Sequence, residues 1–272
     1  MKALILAGGK SKRMGRDKAL IERPDGTRQL DHILALTREV ASEVILSTND
    51  PAIAPANVEI LPDLKPGDGP LGALASFHRA HPGESVLLIG CDLFLLDAAT
   101  LKHLLAHHQP SRGVTCYANR IDGRPEPLCA IYEPPVLPKA ELSLGQNDYC
   151  ARHFAEGLDP LILQLPNPVA LDNANTPADL DEAFAKLTQG VRAIPIKVLY
   201  FAKLREARGL DEEEVETYAH TPAGLYDELS FLHRFPLKLD ALRCARNGDF
   251  CPWDASLEAN DEIVFIPPVA GG

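Results

Sequence analysis

Short apolar runs alternate with helical patterns along residues 1–187 of the chain. Strands are predicted for the apolar runs Lys2–Leu6, Glu43–Ser47 and Ser85–Ile89. Helices are predicted for Gln29–Ala41, Gly72–Ala80, Ala99–His107 and Ala178–Leu187. This alternation indicates βαβ units and a mainly parallel sheet with helices on both faces, the Rossmann-like α/β three-layer sandwich. Ligands of such sheets bind at the carboxyl ends of the strands.

The periodicity stops after the last of these helices and a new pattern begins. Residues 188–195 contain turn and breaker residues without a clear period, so we predict a linker there between domains 1–187 and 196–272. In the second domain, strands are predicted at Ile196–Phe201, Val215–Tyr218 and Glu262–Ile266, with a hairpin around Asn247-Gly248. A helix runs from Thr221-Pro222 to about Arg234. Strands around one main helix predict a β-grasp (ubiquitin-like) fold.

Charge and composition exclude several classes of function. A net charge of -11 argues against nonspecific binding to nucleic acid, which needs a basic surface. Residues 193–272 carry 8 Lys and Arg against 14 Asp and Glu, so this more acidic part suits docking on basic protein surfaces.

Membrane insertion and export are not expected. The longest apolar runs, such as Ser85–Leu96, are shorter than the roughly 20 residues that span a bilayer, and the first apolar stretch is too short for a secretory signal. Six cysteines without a C-x-x-C pair indicate reduced thiols. We therefore expect a cytoplasmic protein without zinc or disulfides.

A glycine-rich loop follows the first strand. Leu6, Ala7, Gly8 and Gly9 lead into a basic segment with Arg13 and Lys18. Glycines let backbone N–H groups approach a polyphosphate, and the basic side chains add positive charge. The spacing fits neither the P-loop nor the G-x-G-x-x-G motif. The alternative interpretation is a strand-to-helix turn with two solvated basic residues.

The whole run from Leu6 to Lys18, L-A-G-G-x-S-x-R-M-G-x-D-K, resembles the signature loop of the molybdopterin nucleotidyltransferases, in particular the guanylyltransferases (MobA-like). The cytidylyltransferase branch typically begins A-A-G, and sugar-nucleotide pyrophosphorylases usually have prolines around the lysine. The resemblance implies GTP as substrate, with Leu6, Ala7, Gly8, Gly9 and Lys18 at the nucleotide. It also implies catalytic roles for Arg13 and Lys18.

Later segments extend this resemblance. Asn49 follows a predicted strand, where the family places an Asn near the nucleotide, and Asp63 with Gly69-Pro70-Leu71 matches the guanine-side segment. Cys91-Asp92 matches the family's C-D motif. The resemblance implies that Asp92 holds Mg²⁺, contacts the nucleotide and takes part in catalysis. An aspartate that ends an apolar strand is costly to desolvate unless it is paired or binds a metal. The alternative is that Asp92 caps the following helix.

Two further segments resemble the part of the family that faces the acceptor. Arg124-Pro125-Glu126-Pro127-Leu128 is similar to its R-P-x-P-L stretch, and Asn173-Ala174-Asn175-Thr176-Pro177 to its N-x-N-T-P stretch. The resemblance implies that Arg124, Pro127, Asn173 and Asn175 lie near molybdopterin or its molybdenum form, whose phosphate would attack the α-phosphorus of GTP. For the second stretch, a helix-capping turn at Thr176 is an equally good interpretation.

The C-terminus ends in Gly271-Gly272 after two prolines and a predicted strand. With Lys197–Glu206, this resembles the small subunit of molybdopterin synthase (MoaD-like) over residues 194–272 or so. A tail without side chains can enter narrow channels. The resemblance implies that Gly272 becomes an acyl-adenylate and then a thiocarboxylate. It also implies an E1-like adenylating enzyme and the large subunit of molybdopterin synthase as partners, with acceptor molybdoenzymes as further candidates.

Two alternatives remain open from the sequence. The C-terminal domain could be a docking module that carries no sulfur. The N-terminal domain could use CTP or act on a sugar phosphate.

Overall fold

The computed structural model describes residues 1–7, 17–65 and 67–267. The chain divides into two compact units, Met1–Asn175 and Thr176–Gly272, which we describe separately. Several predicted site residues lie outside the described residues: Gly8, Gly9, Arg13, Gly271 and Gly272.

The first unit contains a seven-stranded sheet. Its strands are β1 (Lys2–Leu6), β2 (Glu43–Ser47), β3 (Glu59–Leu61), β4 (Val86–Gly90), β5 (Val114–Ala118), β6 (Pro125–Tyr132) and β7 (Leu161–Leu163). The strand order is β3-β2-β1-β4-β6-β5-β7. Strand β6 is antiparallel to both β4 and β5, and every other neighbouring pair is parallel. The prediction of a mainly parallel sheet is confirmed.

Helices cover both faces of this sheet. They are α1 (Gln29–Arg38), α2 (Gly69–Ala80), α3 (Ala98–Ala106), α4 (Pro138–Gly145) and α5 (Ala151–Glu156). Ala3 and Ile5 of β1 belong to the core with α1 and α3, whereas Leu4 belongs to the core with α2, α4 and α5. Because β1 is buried on both faces, its sequence is a continuous apolar run. The three-layer α/β prediction is confirmed.

The second unit is a five-stranded sheet with helices. Its elements are α6 (Pro177–Gln189), β8 (Ile194–Tyr200), α7 (Ala202–Arg208), β9 (Glu212–Thr217), α8 (Pro222–His233), β10 (Arg243–Arg246), β11 (Asp249–Cys251) and β12 (Glu262–Ile266). The strand order is β11-β10-β12-β8-β9, and β12 is parallel to β8. Leu225 and Leu229 of α8 share one core with Val198 and Phe265 of the sheet. This is the predicted β-grasp arrangement.

Helix α6 packs within the second unit. The Glu182 carboxylate of α6 accepts hydrogen bonds from the His220 backbone N–H (2.6 Å) and the Thr221 hydroxyl (2.9 Å) at the start of α8. The compact units therefore divide after Asn175, whereas we predicted the limits 187 and 196 from the sequence. Of the predicted linker, only residues 190–193 lie outside helices and strands. The limits of the functional domains stay a prediction.

No helix in the described part of the chain is long and apolar enough to cross a membrane.

Candidate nucleotide-binding site

A cleft of about 360 Å³ opens at the carboxyl ends of β1, β2 and β4. The last residues of these strands, Leu6, Ser47 and Gly90, line it. The other lining residues come from the segments that follow the strands, from α2 and, for Leu128, from strand β6: Ala7, Asp17, Lys18, Ala19, Asp63, Gly69, Pro70, Ala73, Cys91, Asp92, Leu128 and Asn175. The cleft lies where ligands bind to open α/β sheets.

Lys18 contacts two other polar side chains of the cleft, Asp92 and Asn175. Asp17 caps a short 3-10 helix, Lys18–Leu20, by accepting a hydrogen bond from the Ala19 N–H at 2.9 Å. The Lys18 ammonium lies 3.2 Å from Asp92 Oδ2 and donates to Asn175 Oδ1 at 2.8 Å. Three predicted site residues that are far apart in sequence thus meet in the cleft.

The backbone around Asp92 places its carboxylate at the mouth of the sheet. A Cβ atom added to Gly90 would lie 2.7 Å from Asp92 Oδ1, closer than real Cβ contacts come, so this carboxylate uses space that only glycine leaves free. Asp92 does not cap a helix. The cap of α3 is Asp97, which accepts a hydrogen bond from the Thr100 N–H at 2.7 Å. The capping alternative is therefore wrong.

The donor chemistry of the cleft fits a magnesium ion held chiefly by phosphates. The Asp17 and Asp92 carboxylates both line the cleft. Within the described ranges there is no cluster of three or more His, Cys, Asp or Glu side chains that could hold a metal by themselves. Mg²⁺ commonly takes one or two carboxylates and fills its octahedron with water and substrate phosphate. Asp92 is the residue best placed to supply such a ligand.

Cys91 and the histidines of α3 contribute no reactive group to the cleft. Burial raises the pKa of the Cys91 thiol well above its ordinary value of 9.0, so the sulfur stays protonated at neutral pH. His103 contacts the Tyr117 hydroxyl at 3.0 Å and stacks on the Tyr117 ring, and its own ring lies tilted beside His107. These contacts engage the His103 ring in packing within the first unit.

The side of the cleft formed by β2 and β3 carries a closed hydrogen-bond set. The Asn49 amide donates to Asp63 Oδ2 at 3.1 Å, and the Asp63 N–H donates to Asn49 Oδ1 at 3.3 Å. The Ser47 hydroxyl donates to Asp63 Oδ1 at 3.3 Å. Asp63 lines the cleft and Asn49 does not, so Asn49 acts here by orienting Asp63.

The predicted segment at the start of α2 is divided between cleft and core. Gly69 and Pro70 line the cleft, and Gly69 has a φ of +62°, a conformation that favours glycine. Leu71 is fully buried in the core beneath them. The helix begins at Gly69, earlier than the predicted Gly72, because Pro70 suits its first turn.

Three of the four residues predicted near the acceptor do not line the cleft. Arg124 forms a paired ion contact with Glu156, at 2.6 and 2.9 Å, and Pro127 is buried in β6. Asn173 is exposed. Asn175 alone of these four is brought to Lys18, and Leu128 of the same R-P-x-P-L stretch lines the cleft.

Several lining residues were missed from the sequence. Asp17, Ser47, Gly90 and Leu128 line the cleft without having been predicted as site residues. Ser47 and Gly90 could have been found because each ends a predicted strand at the carboxyl edge of the sheet. Leu128 belongs to the R-P-x-P-L stretch, so the resemblance pointed to its segment, although Arg124 and Pro127 were predicted there instead.

Comparison with known proteins supplies the family. Residues 3–161 match the model described as "MobA-like NTP transferase domain". The chain belongs to this family. It is therefore a nucleotidyltransferase, and the resemblance of the Leu6–Lys18 loop is confirmed. Residues 198–272 match a second model, described as "ThiS family", which agrees with the β-grasp fold of the second unit.

Individual relatives carry related names. A probable molybdenum cofactor guanylyltransferase of Carboxydothermus hydrogenoformans is 35% identical over 65% of this chain and 92% of its own length. A molybdenum cofactor biosynthesis bifunctional protein of Synechocystis sp. is 30% identical over 65% of this chain, and the match spans only 51% of that relative.

A solved structure shows the same fold for the first unit. The molybdopterin-guanine dinucleotide biosynthesis protein A of Archaeoglobus fulgidus aligns with a TM-score of 0.57 at 20% identity, covering 70% of this chain and all of that one. The Carboxydothermus and Synechocystis relatives support a role in molybdenum cofactor biosynthesis.

Proposed function

We propose that the first unit transfers GMP from GTP to molybdopterin or its molybdenum form, giving the guanine dinucleotide cofactor and pyrophosphate. The observation that carries this proposal is the meeting of Lys18, Asp92 and Asn175 in a cleft at the carboxyl ends of β1 and β4. The relatives named guanylyltransferase support the choice of reaction.

The reaction needs no covalent intermediate on the protein. A phosphate oxygen of the acceptor attacks the α-phosphorus of GTP, the bond from that phosphorus to the bridging oxygen breaks, and pyrophosphate leaves with the electron pair. Catalysis then depends on orientation and on neutralising the charge of the phosphates. Lys18 supplies one positive charge inside the cleft, and Arg13 of the glycine-rich loop is a second candidate.

Asp92 would hold Mg²⁺, and the ion when bound would neutralise phosphate oxygens and orient the leaving pyrophosphate. Asp92 is suited to this because its carboxylate lines the cleft and keeps 21% of the side chain exposed, so that an ion entering with the phosphates could reach it. Asn175 fixes the ammonium of Lys18 from the other side.

Guanine would bind on the β2–β3 side. Guanine presents N–H donors at N1 and N2, and a carboxylate accepts from such donors. Asp63 lines the cleft there in a fixed orientation, held by Ser47 and Asn49. The start of α2 at Gly69 and Pro70 lies in the same cleft and would pack against the base.

A nucleotide panel tests this part of the proposal. The protein is incubated with Mg²⁺, molybdopterin or its molybdenum form, and one nucleoside triphosphate at a time, and pyrophosphate release is measured. Release with GTP, and none with ATP or CTP, is the expected result. Pyrophosphate release with CTP alone would show instead that the protein is a cytidylyltransferase.

For the second unit, we propose that Gly272 carries sulfur. The support is the match of residues 198–272 to the ThiS family, together with the terminal Gly271-Gly272. An E1-like enzyme would join the Gly272 carboxylate to AMP with release of pyrophosphate. A sulfur donor would then displace AMP, and the thiocarboxylate would deliver sulfur in the large subunit of molybdopterin synthase.

Deleting Gly272 separates carrier from docking module. Thiocarboxylation replaces one oxygen of the terminal carboxylate by sulfur and adds about 16 Da. If the second unit is a carrier, the variant without Gly272 should not show this mass increase, because its terminal carboxylate ends one residue earlier. The protein would be incubated with an E1-like enzyme, ATP and a sulfur source, and its intact mass measured. If wild-type protein gains no sulfur yet binds the same partner with or without Gly272, the docking alternative replaces this proposal.

A further inference from the structure

A buried polar pair lies behind the segment that carries Asp92. Gln29, the first residue of α1, has no exposed surface, and its side-chain amide donates to the carbonyl oxygens of Cys91 (3.1 Å) and Leu93 (3.2 Å). These carbonyls belong to the residues immediately before and after Asp92. A single side chain therefore fixes both backbone groups that flank the carboxylate.

Arg23 completes the pair. Its Nη1 donates to Gln29 Oε1 at 2.6 Å and to the Phe94 carbonyl oxygen at 2.8 Å, and only 5% of the residue is exposed. Arg23 thus orients the Gln29 amide so that its NH₂ group faces residues 91–93. Burying a guanidinium is costly unless its donors are used, and burial lowers the pKa of Arg23. Such a cost is consistent with a positional role.

The same two residues also hold the chain that carries Lys18. The Ile21 N–H donates to the Lys18 carbonyl oxygen at 3.2 Å, and the Ile21 carbonyl oxygen accepts from the Gln29 N–H at 2.9 Å. Arg23 follows two residues later and begins a tight turn, accepting from the Gly26 N–H at 2.9 Å. One buried network therefore connects the two segments whose side chains meet in the Lys18–Asp92 contact.

We infer that Gln29 and Arg23 are positioning residues that set the geometry of the Lys18–Asp92 pair for nucleotidyl transfer, an inference that rests on the proposed function. Neither residue lines the cleft, so they act through the backbone of residues 91–94 and not on the nucleotide. Their removal lets Asp92 shift while the surfaces that bind GTP stay in place. The transfer step then slows more than binding weakens.

Gln29→Met tests the inference, because methionine has nearly the same length and volume but cannot form these hydrogen bonds. We expect kcat for pyrophosphate release to fall about ten- to a hundredfold, as for residues that orient a catalytic ligand, with KM for GTP changed by less than about threefold. Gln29→Glu should behave similarly, because a carboxylate keeps the contact with Arg23 but cannot donate to Cys91 and Leu93.

Thr37→Val is the matched control. Thr37 lies on the same helix and is fully buried. Its hydroxyl donates one hydrogen bond to the Ile33 carbonyl oxygen at 2.7 Å and takes no part in the hydrogen bonds of Gln29 and Arg23 to residues 91–94. Thr37→Val should lower the free energy of unfolding without changing kcat. All variants are compared at a temperature where circular dichroism shows each to be folded, so that lost activity does not reflect unfolding.

Hydrogen–deuterium exchange gives a readout that needs no substrate. Backbone amides in residues 91–96 should exchange about three- to tenfold faster in Gln29→Met, which loses the hydrogen bonds to the Cys91 and Leu93 carbonyl oxygens, and at the wild-type rate in Thr37→Val. Unchanged exchange, or a kcat loss no larger than in Thr37→Val, would overturn the inference. If wild-type protein released no pyrophosphate with any nucleotide, the proposed function would fail, and the exchange rates alone would still decide whether Gln29 positions the Asp92 segment.

Discussion

The Lys18 ammonium and the Asp92 carboxylate lie 3.2 Å apart although 74 positions separate them in the sequence. Both side chains are largely buried, with 15% and 21% exposed. The pair therefore interacts more strongly than an ion pair in open solvent. A divalent cation that binds Asp92 meets the repulsion of this ammonium until phosphates enter the cleft.

Lys18→Met should separate metal binding from transfer. Without the ammonium, we expect Mn²⁺ to bind the nucleotide-free protein about tenfold more tightly, because one repulsive charge is gone. Pyrophosphate release should nevertheless fall about a hundredfold, because the phosphates lose a neutralising partner. Electron paramagnetic resonance titration with Mn²⁺ measures the first effect.

The control for this variant is Lys102→Met. Lys102 is exposed on α3 and pairs with Glu39 at 2.8 Å. Lys102→Met should therefore change neither the affinity for Mn²⁺ nor the rate of pyrophosphate release. Tighter Mn²⁺ binding in both variants would mean that general charge, and not the pair with Asp92, is responsible.

Asp92→Asn should reduce pyrophosphate release at least about a hundredfold, since the amide is a poor ligand for Mg²⁺. Adenylation of the C-terminal tail by an E1-like enzyme should be unaffected. Asp159→Asn, at a side chain that is 95% exposed, is the matched control and should retain both activities. Loss of tail adenylation in Asp92→Asn would point to misfolding instead of a metal role.

Much of this site was predictable because parallel strands have a common edge. Lys18 and Asp92 follow predicted strands, whereas Asp63 follows β3, which was not predicted, and the sheet brings these strand ends together. Gln29 could not be recognised in this way. Its position at the start of an amphipathic helix says nothing about a contact with Cys91 and Leu93, which depends on tertiary packing.

Asp63→Asn should weaken the preference for guanine. An amide presents an acceptor and a donor where the carboxylate presents only acceptors, so the contacts with two guanine N–H groups are no longer matched. We expect KM for GTP to rise about ten- to a hundredfold with a smaller change in kcat. Steady-state kinetics with GTP and with ITP, which lacks the N2 amino group, measure the effect. An unchanged GTP-to-ITP ratio would remove Asp63 from guanine recognition.

Glu213 should make the stability of the second unit depend on pH. Its carboxylate forms two hydrogen bonds with Arg208 (2.7 and 2.6 Å) and accepts one from the Tyr200 hydroxyl at 2.8 Å. The Arg208 contact holds the pKa of Glu213 below its usual value of 4.5. Stability from this lowered pKa is present above 4.5 and is lost as pH falls through the folded-state value.

Glu213→Gln should therefore unfold more easily at pH 7, by about 1 kcal/mol, and the difference from wild type should shrink below pH 4.5 or so. Urea unfolding at a series of pH values measures it. The neighbouring Glu216→Gln, exposed on the same strand, should show no such trend. A difference that grows as the pH falls would contradict the assignment.

Glu182→Ala should destabilise the second unit by about 3 kcal/mol, because it breaks a buried charged contact with Lys186 and leaves the His220 N–H and the Thr221 hydroxyl without their acceptor. Thermal unfolding followed by circular dichroism would detect the loss. Asp181→Ala, one residue away and exposed, should change stability by less than about 0.5 kcal/mol. Equal effects would indicate that α6 contributes only its own helical stability.

The packing of α6 and several strands could not be predicted from the sequence pattern. Helix α6 was predicted, but its packing against α8 depends on Glu182, whose role is invisible in a helical pattern. Strands β3, β5, β6 and β7 were not predicted, although they complete the sheet. The strand β9 begins at Glu212, in an acidic run, whereas we predicted the strand only from Val215. Ion pairs, such as Glu213 with Arg208, make these charges compatible with a sheet edge.

Gly90 limits which substitutions the end of β4 can accept during evolution. A methyl group at its Cβ position would lie 2.7 Å from the Asp92 carboxylate and 3.4 Å from the Leu128 side chain. The interior of β4 can exchange one apolar residue for another of similar volume at modest cost. Its final position has less freedom, because any side chain there would have to displace the Asp92 carboxylate.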